Sequence, residues 1–486
     1  MFEAEETLTN GNRMKQITSS RAIKGGIYIL AASLLFSCLT PAPCTAARDL
    51  TIAGGISSGY EWLDRKYYID DASVANAHED DDYSRFRIAP LIEISSLSAR
   101  DEILLHYSPS YRYDLDTSAD DVDHDFSADY NRSITQRWRM LLGDRYRLTD
   151  EADDITAMDP VGDVQISDDQ GRRQYWTNDL SLSSEYIYLE DSLFTLGYTY
   201  TIYENTDSGP DTDGENYDRH SFLASVGHRF DSVWKLSGSG NYIRGLYDGS
   251  DTAISGTGTG SGGIDNDLTE YGAGTTLEWS KIMHHVLSLG YNYSATEYDD
   301  STRDGSTIHN GTLGWQWAVA EDLSINLGGG PSYAESDGQS GQWGYNANFG
   351  VQKEIERGSF GLAVTHGFDQ QNFDGTDENG LQEYSQVRAD CNYQLLENVS
   401  LGLFSSYRYE DLDTISPAPA AGGTTVETIN KETTSAGTNL SYQFQQWYSL
   451  ALSYSFTQMD SEQINDSYDE HQVALTLSYK KDLFHW

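Results

Sequence analysis

The sequence predicts an all-β protein whose strands form a closed antiparallel barrel across a membrane. Three observations lead to this prediction: residues alternate with period two, the alternating segments match the thickness of a bilayer, and short and long connections take turns. The stretch YSLALSYSF, Tyr448 to Phe456, shows the alternation most plainly, since aromatic residues and leucines occupy one parity and serine and alanine the other. A period of two indicates an extended strand with two different faces.

The same pattern recurs along the chain to its end. About twenty segments of roughly 9 to 14 residues carry it, which is the length that a tilted strand needs to cross a bilayer. Most have aromatic residues near one or both ends and Gly, Ser, Thr or Asn on the alternate parity. Examples are YWTNDLSLSSEYIY, LFTLGYTYTIY, LSLGYNYSA, HNGTLGWQWA, SFGLAVTHGF, VSLGLFSSYRY and HQVALTLSY.

The connections alternate as regularly as the strands. Short turns such as YLEDS, AVAED and LLEN take turns with long polar segments such as TDEADDITAMDPVGDVQISDDQG. Short periplasmic turns and long extracellular loops are typical of up-and-down barrels in bacterial outer membranes. We therefore predict about twenty strands, within a range of about 18 to 22, and an even number that leaves both termini periplasmic.

A barrel explains why the two faces differ so much. The lipid-facing parity must be apolar, with aromatic residues at the two interfaces, whereas a wide lumen accepts small polar side chains such as Ser449, Ser453 and Ser455. Closure also pairs every backbone group in the hydrocarbon layer. A soluble sandwich or solenoid is the alternative, but it would leave many Tyr, Trp and Leu faces unburied.

Composition agrees with a strand-rich membrane protein. The 486 residues include 34 Tyr and 44 Gly but only 9 Pro, a balance that favours strands and tight turns. After the N-terminal region, no apolar run reaches the roughly 20 residues of a membrane helix. The formal net charge of −45 argues against nucleic acid as a partner, because phosphate contacts require a basic surface.

The N-terminus has the pattern of a secretory signal. Lys15, Arg21 and Lys24 precede the apolar run GIYILAASLLFS, and the small residues of PCTAA follow. We predict a signal peptide over residues 1–46, with Met14 as an alternative start, and a single barrel domain over residues 47–486. Cleavage after Ala46 or Ala47 would leave Cys391 as the only cysteine, which excludes an internal disulfide.

The signal, the tandem hairpins and the terminal aromatic residues in KKDLFHW resemble the outer-membrane β-barrel porins of Gram-negative bacteria, including the broad group called beta-barrel porin, second type. The resemblance implies that Phe484 and Trp486 are read by the barrel-assembly machinery, and that outer-membrane lipids and lipopolysaccharide surround the barrel. Lys480 and Asp482 interrupt the apolar parity near the end, which predicts a bulge or a short tail. The resemblance is to an architecture and carries no substrate with it.

Catalytic motifs and specific metal sites find little support. No G-x-S-x-G or H-E-x-x-H pattern in a catalytic context supports a hydrolase site, so we predict no enzyme activity. Acidic segments, interpreted as loops, offer oxygen ligands that suit loosely bound Ca²⁺ or Mg²⁺, some of it bridging to lipopolysaccharide phosphates. None has the spacing of an EF-hand loop, so no cofactor is predicted. These segments are DDVDHD, DSGPDTDGENYD, EYDDSTRDG and DGTDENG.

Parity also predicts an arginine cluster on the lumen face, unusual in so acidic a chain. Its members are Arg85, Arg87, Arg112, Arg137, Arg139, Arg145, Arg147 and Arg173. Local pairing with Glu93, Asp114 and Asp129 is one interpretation; a pore constriction or a contact to phosphate or sugar acids is the other. In the constriction hypothesis the loop 150–171 folds inward against the arginines, with the carboxylates of Glu151, Asp153, Asp154, Asp159, Asp163, Asp168 and Asp169.

A passive diffusion channel for small hydrophilic solutes or oligosaccharides is the function that these features favour. A barrel of about twenty strands is too wide for its own side chains to fill. No plug-like region precedes the first strand, which argues against an energised transporter. The alternative is a structural or secretion-associated barrel that works with a polysaccharide-export system.

Overall fold

The computed structural model describes residues 48–68, 81–149, 174–206, 216–247, 267–300, 305–336, 341–372, 380–417, 424–462 and 467–486. The predicted signal segment lies outside these ranges, and its cleavage stays a prediction. The described residues from Asp49 to Trp486 form one compact unit. They contain no helix long and apolar enough to span a membrane.

The described residues form twenty strands, as the alternation predicted. The strands are β1 Asp49–Tyr67, β2 Asp81–Leu97, β3 Asp101–Asp114, β4 Asp120–Thr135, β5 Trp138–Thr149, β6 Tyr175–Leu189, β7 Ser192–Asn205, β8 Tyr217–Arg229, β9 Trp234–Tyr247, β10 Leu268–Trp279, β11 His285–Tyr298, β12 Ser306–Ala320, β13 Leu323–Ser336, β14 Gln342–Ile355, β15 Gly358–Gln371, β16 Gly380–Leu396, β17 Val399–Pro417, β18 Thr424–Phe444, β19 Tyr448–Ser461 and β20 Tyr468–His485.

Each strand pairs antiparallel with the next, and β1 pairs with β20, so the sheet closes on itself. Tyr60 lies opposite Leu475 across this closing seam. Closure leaves no unpaired sheet edge, which is the condition for a sheet to exist in hydrocarbon. The prediction of an all-β, up-and-down antiparallel barrel is confirmed.

One rim of the barrel, here called the turn rim, carries the nine connections from each even-numbered strand to the following strand. These connections have two to five residues; the shortest include 136–137, 190–191 and 321–322. Asp191, His284 and Gln445 adopt positive φ angles of 56°, 65° and 60° in three of them, as tight reversals often require. The opposite rim, here called the loop rim, holds the remaining connections, parts of which lie outside the described residues.

The predicted irregularity at the C-terminus is a β-bulge in the closing seam. Ile52 pairs with Phe484 whereas Ala53 pairs with Asp482, so Leu483 is the extra residue. The bulge shifts the parity by one and returns Phe484 to the outer face. The strand continues to Trp486, whose N–H donates to the Leu50 carbonyl at 2.9 Å while the Leu50 N–H donates back at 2.8 Å.

Candidate functional site: the barrel lumen

The two faces of each strand separate as the sequence predicted. In β19 the outer face carries Leu452 and Tyr454, which are 46% and 40% exposed in the isolated barrel. Ser453 and Ser455 lie on the lumen face, opposite Ala474 and Gln472 of β20. A polar lumen inside an apolar outer face is the arrangement of a water-filled membrane barrel. Any solute-handling site must therefore be built from lumen-facing residues.

Aromatic residues border the outer face at both rims. Near the turn rim Trp138, Trp234 and Phe230 are 40%, 40% and 60% exposed. Toward the loop rim, tyrosine hydroxyls contact the Nδ1 atoms of histidines that are the fourth or fifth residue of the next strand. These pairs are Tyr107–His124, Tyr198–His220, Tyr291–His309 and Tyr454–His471, at 3.0, 2.9, 2.8 and 3.0 Å. Amphipathic rings at both levels are typical of membrane interfaces.

Arginines line the lumen on β2, β3 and β5 toward the loop rim, and those on β2 and β3 have local polar partners. Arg85 Nε lies 3.7 Å from Asp114 Oδ2, and Arg87 Nε donates to Ser110 Oγ at 2.7 Å. Arg112, only 2% exposed, pairs through Nη2 with Asp121 at 3.3 Å and more closely with Asp123. Buried guanidinium groups require such partners because an unpaired buried charge is costly.

The acidic partners come largely from β4, the first part of which the sequence analysis predicted to be a loop. The segment DDVDHD is wrong as a loop, since β4 begins at Asp120 and runs through it. Period two places Asp121, Asp123 and Asp125 on the lumen face, next to the arginines of β3 and β5. Arg145 Nη2 lies 3.9 Å from Asp125 Oδ2. The predicted cluster of loop carboxylates is therefore a row of lumen-facing acids on β4 that pairs with the arginines of β3 and β5.

The remaining members of the predicted cluster are separated. Arg147 is on the lumen face of β5 opposite Asp125, whereas Arg137 lies in the β4–β5 turn. Arg139 is near the turn rim, where Nε donates to Asn131 Oδ1 at 2.7 Å. Arg173 and the acidic residues of the loop 150–171 lie outside the described residues, so the loop constriction stays a prediction. Of the acids proposed as local partners, Glu93 instead pairs with Lys480 at 2.9 Å.

A second group of lumen charges flanks the closing seam. The sequence analysis did not predict this group. Tyr83 OH and Gln472 Nε2 each donate to Glu61 Oε1 at 2.8 Å. Arg65 pairs with Glu470 at 2.6 Å. Strand parity could have predicted that Glu61 and Arg65 face the lumen, because their parity is opposite to that of outward Tyr60 and Trp62. Their partners on β20, however, are some 400 positions away in sequence.

The lumen wall over β9 to β15 is different: it is built mainly from glycine and uncharged polar residues. Asn326 lies opposite Gly350 and Asn348 opposite Gly328, and in both pairs a methyl group on the glycine would collide with the asparagine side chain. Asn241 and Gly272 repeat the arrangement on β9 and β10. Each asparagine therefore lies flat against the wall over a glycine, which keeps the lumen wide while lining it with amide groups.

The loop-rim end of β15 leaves the barrel wall. The β14–β15 ladder stops at Ala347 and His366, whereas the β15–β16 ladder continues to Gln371 and Gly380. Residues 367–372 are here called the inward tip, and their only neighbouring strand in the sheet is β16. Gly344 on β14 makes room for the tip, because a Cβ there would lie 2.7 Å from the Phe368 ring.

Contacts of Asn372 show that the inward tip crosses the lumen. Tyr298 OH donates to Asn372 Oδ1 at 2.7 Å, and Asn372 Nδ2 donates to Thr296 Oγ1 at 3.3 Å and to Glu270 at 2.5 Å. Tyr247 OH donates to the Asn372 carbonyl. These groups belong to β9, β10 and β11 and face the lumen. Because β12 to β14 lie between them and β15, the tip must pass over the lumen face of those three strands.

Apolar packing and a further hydrogen bond fix the middle of the tip. Phe368 packs with Ile308 of β12 and Ala334 of β13, and the three side chains are 9%, 2% and 1% exposed. Gln370 Nε2 donates to Ser306 Oγ at 3.1 Å. Burying a phenylalanine side chain contributes about 2 kcal/mol and each hydrogen bond about 1 kcal/mol. The tip is thus an attached part of the wall that narrows the lumen near the loop rim.

These features together decide the architecture: twenty strands that close into a ring, an apolar outer face with aromatic borders, and a polar lumen. The fold is that of a transmembrane up-and-down β-barrel. No protein-family model matches the chain, and no curated protein is similar to it in sequence.

Several solved structures are similar to this one at low sequence identity. The siderophore receptor PirA from Acinetobacter baumannii is 10% identical, with 88% of this chain and 80% of that chain covered and a TM-score of 0.49. OpdQ from Pseudomonas aeruginosa is 13% identical, covering 89% and 98% with a TM-score of 0.41. OccK2 (OpdF) from the same organism, in complex with glucuronate, is 12% identical, covering 89% and 98% with a TM-score of 0.40. Similarity at this level carries no inference about function.

Outside the membrane-spanning strands, two turn carboxylates are held in their charged form. The backbone N–H groups of Val233 and Trp234 donate to Asp231 at 2.7 and 2.8 Å and lower its pKa. The Lys353 ammonium, 2.8 Å away, lowers the pKa of Asp322. Within the described ranges, no group of three His, Cys, Asp or Glu residues could hold a metal ion. The predicted loose Ca²⁺ or Mg²⁺ binding at acidic loops stays a prediction.

Proposed function

We propose that the protein is an outer-membrane channel through which small hydrophilic solutes diffuse passively. The observation that carries this proposal is the lumen of a closed twenty-stranded barrel, lined by Asn, Gln, Ser, Thr and paired charges. Barrels of 16 to 18 strands already leave an aqueous channel, and a twenty-stranded one is wider. The inward tip reduces this width on one side and sets an upper size for solutes.

The orientation follows from the rims. The turn rim faces the periplasm in this proposal, with both termini on that side, and the loop rim faces outward toward lipopolysaccharide. The barrel-assembly machinery is the proposed reader of Phe484 and Trp486, which are 51% and 79% exposed on the outer side of the turn rim. Catalysis is not part of this proposal.

Conductance in a planar bilayer tests the proposal. Refolded protein added to the bilayer should give stepwise ion currents, and neutral polymers of graded size should reduce the current until they become too large to enter. Heat-denatured protein is the control. Correctly folded barrels that insert but conduct no ions would contradict the proposal.

A second candidate is a secretion-associated barrel that is closed by itself and opens with a polysaccharide-export partner. Burial of polar lumen residues toward the loop rim favours it: Arg112, Ser332 and Ser435 are 2%, 0% and 1% exposed. The same bilayer experiment separates the candidates, because this barrel would insert without conducting until its partner is added.

A further inference from the structure

We propose that the lumen contains a binding subsite for an uncharged, polyhydroxylated solute such as a short neutral oligosaccharide. This inference rests on the proposed channel function and names a solute class for it. The site is a cavity of about 930 Å³ on the lumen wall toward the turn rim, between β11 and β16. Its volume lies in the usual range for small-molecule sites. Its polar lining includes Gln316, Asn326, Gln352, Arg388, Asp390 and Asn392.

Carboxamide side chains form a large part of the polar lining. Each amide group has an acceptor oxygen and a donor NH₂ group, so it can satisfy a hydroxyl group that both donates and accepts. Gln316, Asn326 and Gln352 come from three consecutive strands, β12, β13 and β14, so their amides form a surface rather than a single point. Gly350 and Gly361 also line the cavity, and the side chains of Asn326 and Asp390 lie over them.

Arg388 and Asp390 distinguish this cavity from the rest of the lumen. They occupy consecutive lumen-facing positions of β16, opposite Ala363 and Gly361 of β15. Within the described part of the chain neither forms an ion pair, whereas Arg85, Arg112 and Arg145 all have carboxylate partners. Both are half-buried and line the cavity, so their hydrogen-bonding groups are available to a solute.

The two charges favour a neutral ligand. A guanidinium group and a carboxylate each bind adjacent ring hydroxyls through two hydrogen bonds, and bonds to charged groups are the strong ones. A sugar acid that approaches Arg388 also meets the Asp390 carboxylate, and an amino sugar that approaches Asp390 meets Arg388. Repulsion from the second charge therefore disfavours both charged classes.

The subsite lies on the path that the inward tip restricts. Strands β12 to β16 carry the tip at their loop-rim ends and the cavity toward the turn rim. A solute that passes the tip along this wall therefore meets the amide surface next. Weak binding at that point raises the local concentration of the solute and speeds its passage at low external concentration.

Current block by sugars tests the subsite in the full-length refolded barrel. Maltotriose should reduce the ion current with a measurable half-blocking concentration, and glucuronate and glucosamine should block less well. Arg388→Gln and Asp390→Asn should each raise the maltotriose half-blocking concentration about tenfold, as expected for the loss of hydrogen bonds to a charged group. Asp390→Asn should also improve block by glucuronate.

Arg139→Gln is the matched control, since Arg139 faces the lumen near the turn rim on β5 and is not part of the cavity lining. It should leave the sugar block unchanged. A channel that conducts ions but is not blocked by maltotriose, or is blocked better by glucuronate, overturns the subsite and leaves the channel function standing. A folded barrel without ion current overturns the channel function and the subsite with it.

Discussion

At the scale of single residues, glycine and asparagine pairs shape the neutral wall of the lumen. Asn348 needs the space over Gly328, and Asn326 needs the space over Gly350. Other glycines of the lumen face are less constrained: a Cβ at Gly290 would approach no atom more closely than Thr276 Oγ1 at 3.5 Å. A glycine is therefore required for packing at Gly328 and Gly350 but not at Gly290.

Gly328→Ala should destabilise the barrel and push the Asn348 amide into the lumen. Overpacking of this kind costs about 1 to 3 kcal/mol, so the urea midpoint of unfolding should fall and conductance should decrease. Gly290→Ala is the control and should behave like the parent. Equal midpoints and conductances for the two variants would contradict the proposed role of Gly328.

Asp231 in the β8–β9 turn should make the stability of this turn depend on pH. Its pKa is lowered in the folded protein from an ordinary value of 3.8, because two backbone N–H groups donate to the carboxylate. The stabilisation is complete above pH 3.8 and is lost as the pH falls through the lowered folded value. Asp231→Asn should therefore show a smaller change in urea midpoint between pH 6 and about pH 2 than the parent.

The control for Asp231 is Glu356→Gln in the β14–β15 turn. Glu356 forms no ion pair or side-chain hydrogen bond within the described ranges, and its exposure to solvent is high. This variant should keep the pH response of the parent. If Asp231→Asn and Glu356→Gln respond alike, the turn carboxylate has no special role.

At the scale of elements, the inward tip of β15 is the feature that most changes the lumen. Double substitution Phe368→Ala with Asn372→Ala removes the packing on Ile308 and Ala334 and the hydrogen bonds to β10 and β11. The tip should then leave the wall of β12 to β14, and single-channel conductance should rise together with the largest polymer that enters. Phe360→Ala is the control, since Phe360 lies on the outer face of the same strand and is 40% exposed. An unchanged conductance in a folded double variant would show that the tip does not restrict the pore.

The bulge at Leu483 is the second element with a specific role. Deletion of Leu483 should remove the bulge and leave Phe484 on the outer face opposite Ile52, because the residue that follows lumen-facing Asp482 points outward. The amount of heat-modifiable barrel in the outer membrane should then stay close to that of the parent. Leu483→Ala keeps the bulge and should assemble nearly as well as the parent. A loss of assembly in the deletion variant would contradict this and show that the bulge itself is needed.

At the scale of the whole molecule, the acidic charge should govern ion selectivity. With a formal net charge of −45, the channel should concentrate cations at its mouths and show a weak cation preference at low salt. Near molar salt the Debye length is about 3 Å, and most of the preference should disappear. Reversal potentials in salt gradients measure this effect. Anion selectivity that does not depend on ionic strength would contradict it.

Sequence alone determined the strands and their two faces, and it located an irregularity near the C-terminus. Period two is a local property: Leu452, Tyr454 and Phe456 must share a face whatever their neighbours are. The need to pair every backbone group in lipid then leaves a closed barrel as the solution for so many amphipathic strands. The lumen-facing positions of Arg85, Arg112 and Arg145 follow from the same rule of alternation.

Tertiary structure decided which residues meet across strands and where the wall bends inward. Glu61 contacts Gln472 only because the sheet closes, and Asn372 reaches Glu270 only because the end of β15 leaves β14. The unpaired state of Arg388 and Asp390 also depends on which side chains the register places opposite them. A strand pattern specifies faces but not partners, because contacts between distant segments depend on register and on the packing of the complete barrel.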